Sequence, residues 1–277
     1  MTISALHYYP VKSCAGIEIS SAQIDKRGIK DDRGWLVVTP NNKFVTQREI
    51  PKMALIKVTV NGDTGTRSLK MEAEGMSPLA VPEHTSVSTQ DGLEERRVTV
   101  WNDSGLKAID QGDSAAEWLS KFLGTELRLV RMSDDGVREV KAEMPDAPAS
   151  QVGFQDGYPF LIISIASLDD LNSRLEEPLP MNRFRPNIVV EGAEPFAEDN
   201  WQTIKIGDVT FECDKLCARC VITTIDQKTA KKNKEPLKTL ATFRLIDNQA
   251  MFGQNAIHLN PGIIKVNDEI KVLKLRK

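Results

Sequence analysis

The chain has 277 residues, enough for one large domain or two medium ones, each able to bury a core. Its 40% hydrophobic and 27% charged residues are those of a globular protein, and 17 glycines with 14 prolines are too few for a low-complexity chain. Thirty-six Lys and Arg against 39 Asp and Glu leave a net charge of -3, which argues against dedicated nucleic-acid binding but leaves room for a local basic pocket.

The N-terminus, MTISALHYYPVKSC, lacks the basic and apolar regions of a signal peptide and the Arg-rich pattern of a presequence. The longest apolar run, 160–163, reaches residue 166 if Ser164 is allowed. A membrane span needs about 20 residues, so no membrane segment is expected and a cytoplasmic location is the default.

The first hundred residues carry short strand signals at 34–39, 43–46, 54–60 and 96–101. Turns punctuate them: Pro40-Asn41-Asn42, Asn61-Gly62-Asp63 and Asn102-Asp103-Ser104-Gly105. Such a pattern points to a barrel or sandwich. A helix is predicted over 115–123, capped by Asp113 or Ser114 and stopped by Gly124, with Trp118, Leu119 and Phe122 facing a core. Another strand is predicted at 127–132.

The polar stretch 133–153, with Asp134-Asp135-Gly136 and Pro145-Asp146-Ala147-Pro148, is the expected connection between two halves. The apolar strand at Phe160 follows. Ser167 with Asp170 predicts a capping box opening a helix to about 175, with Leu168, Leu171 and Leu175 as its apolar stripe. Strands are predicted at 187–190, 203–206, 209–213 and 220–225, and a short helix at 238–244. Lys265-Val266-Asn267-Asp268 predicts a final hairpin turn. The whole reads as mainly β with a few helices, a β-rich α+β chain.

Four cysteines, Cys14, Cys213, Cys217 and Cys220, do not form a disulfide framework. One C-x-x-C without a second pair, and three scattered histidines, argue against structural zinc. The spacing C-x3-C-x2-C, with no later cysteine, does not fit a plant-type iron–sulfur site. Cys14 and Cys213 are expected to be inert core thiols. Cys217 is open to either reading because Arg219 beside it favours a thiolate.

Four segments carry groups that packing does not require: Pro10-Val11-Lys12-Ser13, Asp31-Asp32-Arg33, Arg183-Phe184-Arg185-Pro186-Asn187, and Cys217-Ala218-Arg219-Cys220 followed by Thr223-Thr224. Singly, each charge has a bland explanation on a solvated surface or in a weak ion pair. Together they offer Lys, Ser and several Arg for a phosphate, and a thiolate beside a cation. A soft thiolate suits a transition metal better than magnesium or calcium.

In this order the chain also shows D-R-x-W at 32–35, T-x-R at 46–48, F-R-P-N-I-V at 184–189, C-x-R-C then T-T-x-D, E-P-L-K-T-L at 235–240 and F-G-Q-N at 252–255. With P-V-K-S, these motifs resemble the MOSC-domain molybdenum enzymes of the mitochondrial amidoxime-reducing component and YcbX-like family, over nearly the whole chain.

The resemblance implies an N-terminal MOSC β-barrel-like domain, 1–132, then a MOSC β-barrel domain, 133–277, with the cofactor between them. It implies a single-pterin molybdenum cofactor, with Cys220 as metal ligand and catalytic residue. Lys12, Ser13 and Arg33 would hold the cofactor phosphate; Arg185, Asn187 and Arg219 would contact the pterin or the metal's surroundings. Asp156, the second catalytic candidate, and Asn255 match positions lining the same pocket. Ala218 stands where many animal members have Ser, which removes one hydrogen bond near the cofactor.

The implied reaction is reduction of N-hydroxylated small molecules (amidoximes, hydroxylamines, N-hydroxylated bases) by oxygen-atom removal at molybdenum. The chain begins almost at the barrel, without the membrane segment of animal members, and stops before any ferredoxin domain. An external flavin, iron–sulfur or b-type haem electron donor is therefore expected. The alternative is a cofactor-binding or sulfur-handling module without reductase activity. Sulfurases with MOSC domains use a separate pyridoxal-phosphate domain, for which this chain has no room.

Overall fold

The computed structural model describes residues 1–62, 66–85, 93–143 and 150–276. Its organising element is the strand Phe160–Ser164, buried at every position, as its unbroken apolar run requires. It pairs antiparallel with Gln249–His258 and parallel with Ile188–Glu191. Outward from these lie Val209–Ala218, Trp201–Ile206 and Ile270–Leu275 on one side, and Thr2–Tyr8 and Ile17–Ile19 on the other.

Side chains alternate across a strand, so this central strand serves two cores. Phe160 and Ile162 join Ile3, Leu6, Ile204 and Phe211 in one cluster. Leu161 and Ile163 face Leu168, Leu171, Phe184, Leu240 and Phe252 in another. The helices Ile165–Asn172 and Leu237–Phe243 supply Leu168, Leu171 and Leu240 to that second layer.

Trp35–Val38 does the same for a four-stranded sheet in the order Trp35–Val38, Arg128–Met132, Asp103–Asp110, Glu95–Val100. Trp35 and Val37 pack with Trp118, Leu119 and Phe122 of the helix Asp113–Leu123; Leu36 and Val38 pack with Val98, Val130 and Phe154. A three-stranded sheet, Lys57–Asn61, Ser68–Glu72 and Leu79–Pro82, closes the first of these cores.

Hydrogen bonds run between the N-terminal strands and the second half. Thr2–Tyr8 pairs with Ile188–Glu191, and Ser21–Asp25 pairs with Gly262–Lys265. The segment after Tyr8 leaves one sheet and reaches the other: Lys12 N–H donates to Trp35 C=O at 3.0 Å. That crossing places Lys12 and Ser13 at the junction of the two sheets.

The chain departs from several sequence expectations for local reasons. Gly112, at φ 88, caps the helix Asp113–Leu123, because Asp110 Oδ1 accepts the Gly112 N–H and holds a turn that favours glycine. Ser164, not Ser167, caps Ile165–Asn172; its side chain accepts the Ser167 N–H. Pro51–Leu55 is a 3-10 turn before the strand Lys57–Asn61, since Pro51 suits a first helical turn. Residues 43 and 44 form only isolated bridges. The stretch predicted as a strand at 220–225 contains a 3-10 helix, Val221–Thr224. The turn at 265–268 joins two different sheets rather than closing a hairpin, because Asn267 N–H donates to Ile3 C=O. The Pro145-Asp146-Ala147-Pro148 part of the expected connection lies outside the described residues.

Candidate functional site

A cleft opens at the junction, lined by Lys12, Ser13, Arg33, Asp156, Arg185, Asn187, Arg219, Cys220 and Asn255 among others. All nine sequence candidates therefore meet in one place, from six stretches of chain. The cavity volume is about 150 Å³.

The backbone that delivers these groups is bent hard. Ser13 (φ 69), Arg33 (φ 50) and Arg185 (φ 57) all adopt left-handed conformations, as does Asp31 (φ 69). Non-glycine residues pay about 1–2 kcal/mol each for this, so the surrounding contacts must hold them. Those contacts are visible. Asp32, almost fully buried, accepts from Tyr9 N–H at 2.8 Å and from Arg33 Nη1 at 2.6 Å. Gln47 Nε2 donates to Ser13 C=O at 2.7 Å. Gly153 lies so close to Arg33 that a Cβ there would come within 2.8 Å of its carbonyl oxygen. Phe154 N–H donates to that same oxygen at 2.8 Å.

Buried Lys12 donates from Nζ to Phe154 C=O at 2.7 Å and to Asp156 Oδ1 at 2.5 Å. Desolvation pulls its pKa down, against the opposing pull of Asp156. Asp156 stands at the rim, its side chain 55% exposed. Desolvation works to raise its pKa, but Lys12, Arg48 and the Trp101 indole N–H outweigh it and hold the carboxyl well below its ordinary range. Asp156 is thus a carboxylate at neutral pH. Arg138 fixes this loop by donating to the Gly153 and Gln155 carbonyls.

The phenol ring of Tyr9 receives two guanidinium groups, Arg33 at 4.1 Å and Arg185 at 4.2 Å from its centroid. Arg185 Nη1 donates to Cys14 C=O at 2.8 Å, but its Nη2 is shielded from solvent and unpartnered. Desolvation lowers the Arg185 pKa to about 10. Arg219 donates to Cys217 Sγ at 2.9 Å and to Phe184 C=O at 2.5 Å, while its Nε is also shielded and unpartnered. Asn187 bonds the strands themselves, accepting from Leu161 N–H at 3.3 Å and donating to His7 C=O at 3.2 Å.

Cys220 ends the turn after Val209–Ala218 and opens the 3-10 helix Val221–Thr224; its carbonyl accepts from Thr223 N–H and Oγ1. Arg48 Nη2 donates to Cys220 Sγ at 3.1 Å. Arg48 also lies 3.6 Å from Asp156 Oδ2 and 4.6 Å from the Trp101 ring centroid, and its Nη1 is shielded and unpartnered. Cys14 and Cys213 are buried, and burial pushes both thiols up to about 12.

Arg48 and Trp101 were absent from the sequence candidates. The T-x-R at 46–48 was the signal for Arg48. Trp101 carried none, because only the fold brings residues 48, 101, 156 and 220 together.

Residues 1–126 match the MOSC N-terminal beta barrel domain, and residues 149–271 match the MOSC domain. Human mitochondrial amidoxime-reducing component 1 is 36% identical, over 98% of this chain and 83% of its own length. The chain belongs to the MOSC-domain amidoxime-reducing component family. Bovine mitochondrial amidoxime reducing component 2 is 37% identical over 89% of this chain and 73% of its own length. Zebrafish molybdenum cofactor sulfurase is 33% identical over 93% of this chain but only 32% of its own length.

In this MOSC-family chain the half-buried thiol of Cys220 stands among cations rather than among other metal ligands. Among the described residues no group of three or more His, Cys, Asp or Glu side chains gathers to hold a metal ion. The donor set fits an anionic organic ligand that brings its own metal and needs one further soft ligand. The unpartnered nitrogens of Arg48, Arg185 and Arg219 are the observation behind that fit. Also among the described residues, no helix is long and apolar enough to cross a membrane.

Proposed function

We propose that this protein is a molybdenum-cofactor-dependent reductase of N-hydroxylated small molecules, such as amidoximes and hydroxylamines. The observation that carries the reading is the pairing of unsatisfied guanidinium nitrogens with a half-buried thiol in one cleft. A buried donor left without a partner is costly, so these nitrogens are built for an anion from outside the chain. The family supplies which anion: relatives are named for amidoxime reduction and for the molybdenum cofactor.

In this reading the cofactor lies between segments 1–132 and 133–277. Lys12, Ser13 and Arg33 hold its phosphate; Arg185, Asn187, Arg219 and Asn255 line its pterin. Cys220 is the metal ligand. When bound, the cofactor supplies the two-electron chemistry that removes the N–O oxygen.

The chain's own residues do the positioning. Arg48 donates to the Cys220 sulfur and so holds and orients that side chain. Asp156 anchors Arg48 and Lys12 in place as an ionised carboxylate rather than serving as a proton donor. The electrons come from an external carrier, flavin, iron–sulfur or b-type haem. The relatives' names say mitochondrial of those proteins.

The test is molybdenum content by elemental mass spectrometry after expression in a molybdenum-replete host, with benzamidoxime turnover driven by reduced methyl viologen. Near-stoichiometric molybdenum and turnover are expected, with turnover lost in a folded Cys220→Ala variant. Full activity in that variant, or a well-folded protein that takes up no molybdenum, overturns the assignment. Molybdenum without any reduction of N-hydroxylated compounds favours the binding or sulfur-handling module.

A further inference from the structure

The segment that follows the cysteine motif carries Lys228, Lys231, Lys232, Lys234 and Lys238 within eleven residues, in a chain whose net charge is negative. All five are exposed, and among the described residues none forms an ion pair. The acids nearby are already engaged. Asp226 Oδ1 accepts from Lys228 N–H, Thr229 N–H and Thr229 Oγ1, and Glu235 Oε2 accepts from Thr239 N–H. Their carboxylates serve the local fold and leave the lysines facing outward.

The segment is pinned rather than loose. Ile225 and Lys232 form an antiparallel bridge, Asp226 N–H donates to Lys231 C=O, and Asn233 N–H donates to Thr224 C=O. Its positive charges are therefore held in place before any partner arrives, which lowers the ordering cost of association. It also sits against the cleft. Lys232 Nζ donates to the Arg48 carbonyl at 3.1 Å, and Arg48 in turn donates to Cys220 Sγ.

Beside the lysines lie three exposed apolar side chains: Val221, the residue after Cys220, at 40% exposure, and Leu245 and Ile246 at 52% and 44%. The helix Leu237–Phe243, which carries Lys238, packs against both the 3-10 helix Val221–Thr224 and the short strand Leu245–Ile246, and so ties the lysine segment to these apolar side chains. A small apolar centre with a charged rim is the anatomy of a protein interface. Transient redox encounters use small interfaces of this kind, guided by charge.

We propose that this face, residues 221–246, is where an acidic electron-carrier protein docks. The inference rests on the reductase reading, which requires two electrons per turnover from a donor. The lysine rim steers a negatively charged carrier, and the apolar centre seats its cofactor edge next to Cys220. An anionic membrane or a nucleic acid would also be drawn to lysines. A carrier protein is favoured because the apolar side chains and the reactive sulfur share the face.

The test compares the wild type with a K228E/K231E/K234E/K238E variant and a K265E/K274E control, whose changes lie on other strands. Binding of an oxidised acidic [2Fe–2S] ferredoxin and of an acidic b-type cytochrome is measured by calorimetry at 20 and 200 mM salt. The wild type and control should bind at least one carrier, more weakly at high salt; the quadruple variant should bind it at least tenfold more weakly at low salt. Stopped-flow oxidation of the reduced carrier by loaded enzyme should slow by a similar factor. Turnover with methyl viologen should not change.

Equal binding by the quadruple variant, or no binding of either carrier by the wild type, overturns the docking face. So does binding to phosphatidylserine vesicles alone, which would assign the lysines to a membrane. If methyl viologen supports no turnover in the wild type, the reductase reading fails, while the calorimetry still decides the docking face.

Discussion

Two groups of arginines flank the turn at residues 31–34, and they are solved in opposite ways. On one side Arg67 pairs with Asp31 and lies 3.6 Å from Glu83, while Arg131 pairs with Glu83 and Asp134. On the other side Arg185 finds only a carbonyl and an aromatic face, and keeps a dry, unpartnered nitrogen. Desolvation acts on both. At Arg67 the acids more than offset it and hold the pKa above its ordinary value; at Arg185 it prevails and brings the pKa to about 10. The first group is neutralised by acids within the chain and serves stability, although Arg67 Nε, 3.6 Å from Glu83, makes no hydrogen bond. The second lacks its counter-anion and serves binding.

The largest expected effect that tests this contrast is on stability. Arg67→Met leaves Asp31 and Glu83 without their partner, and breaking such a pair should cost about 3 kcal/mol in urea unfolding. Arg185→Met in the cofactor-free protein removes a charge that has no acid to lose, so it should cost less than about 1 kcal/mol, mostly from stacking on Tyr9. Equal losses at the two positions would erase the distinction between a structural and a binding arginine.

The next effect is on ligand linkage. Inorganic pyrophosphate, as a probe of the unsatisfied group, should stabilise the cofactor-free wild type by about 2.7 kcal/mol at a hundred times its Kd. Arg185→Met should lose most of that gain, and Arg67→Met should keep it despite its lower baseline. Melting temperatures with and without pyrophosphate give the comparison directly. Stabilisation that follows Arg67 instead would place the anion site on the wrong side of the turn.

The sequence showed the cleft better than it showed the scaffold. Lys12, Arg33, Arg185, Arg219 and Cys220 were legible because charged and nucleophilic residues fell in short ordered motifs that no packing rule required. Which of them find an acid was not legible: the fold gives Asp32 to Arg33 and Asp156 to Lys12, turns Asp31 to Arg67, and leaves Arg185 with no acid partner. The strand at Phe160 and the helix Asp113–Leu123 were legible from period and composition. The 3-10 helix after Cys220 was not, because the three-residue apolar run Cys220-Val221-Ile222 fits a strand or a turn equally well. The crossing of Thr2–Tyr8 into the second half was hidden for a related reason: partner strands nearly 190 residues apart leave no local mark.

The same contrast reaches the thiols, where the effect is smaller and its sign can be fixed. Burial pushes Cys14 from 9.0 up to about 12, although Arg185 works to lower it. A nearby cation therefore does not activate a thiol that stays dry. Between pH 9 and 12 the unfolded chain has lost this proton while the folded chain retains it. The native state then binds more protons, so unfolding free energy falls as pH rises, by up to about 1.4 kcal/mol per pH unit for one thiol. The contribution is intact below pH 9 and is lost as pH climbs toward 12. Cys14→Ala adds a cavity cost at every pH but removes this slope, so its urea stability should decline less steeply than that of the wild type between pH 9 and 10.5. Alkylation at pH 8 sharpens the point: iodoacetamide should modify Cys220 in the cofactor-free protein and leave Cys14 untouched until urea is added. Rapid labelling of Cys14 in the folded state would mean that Arg185 activates it, and the unpaired arginine would then have a chemical target inside the chain.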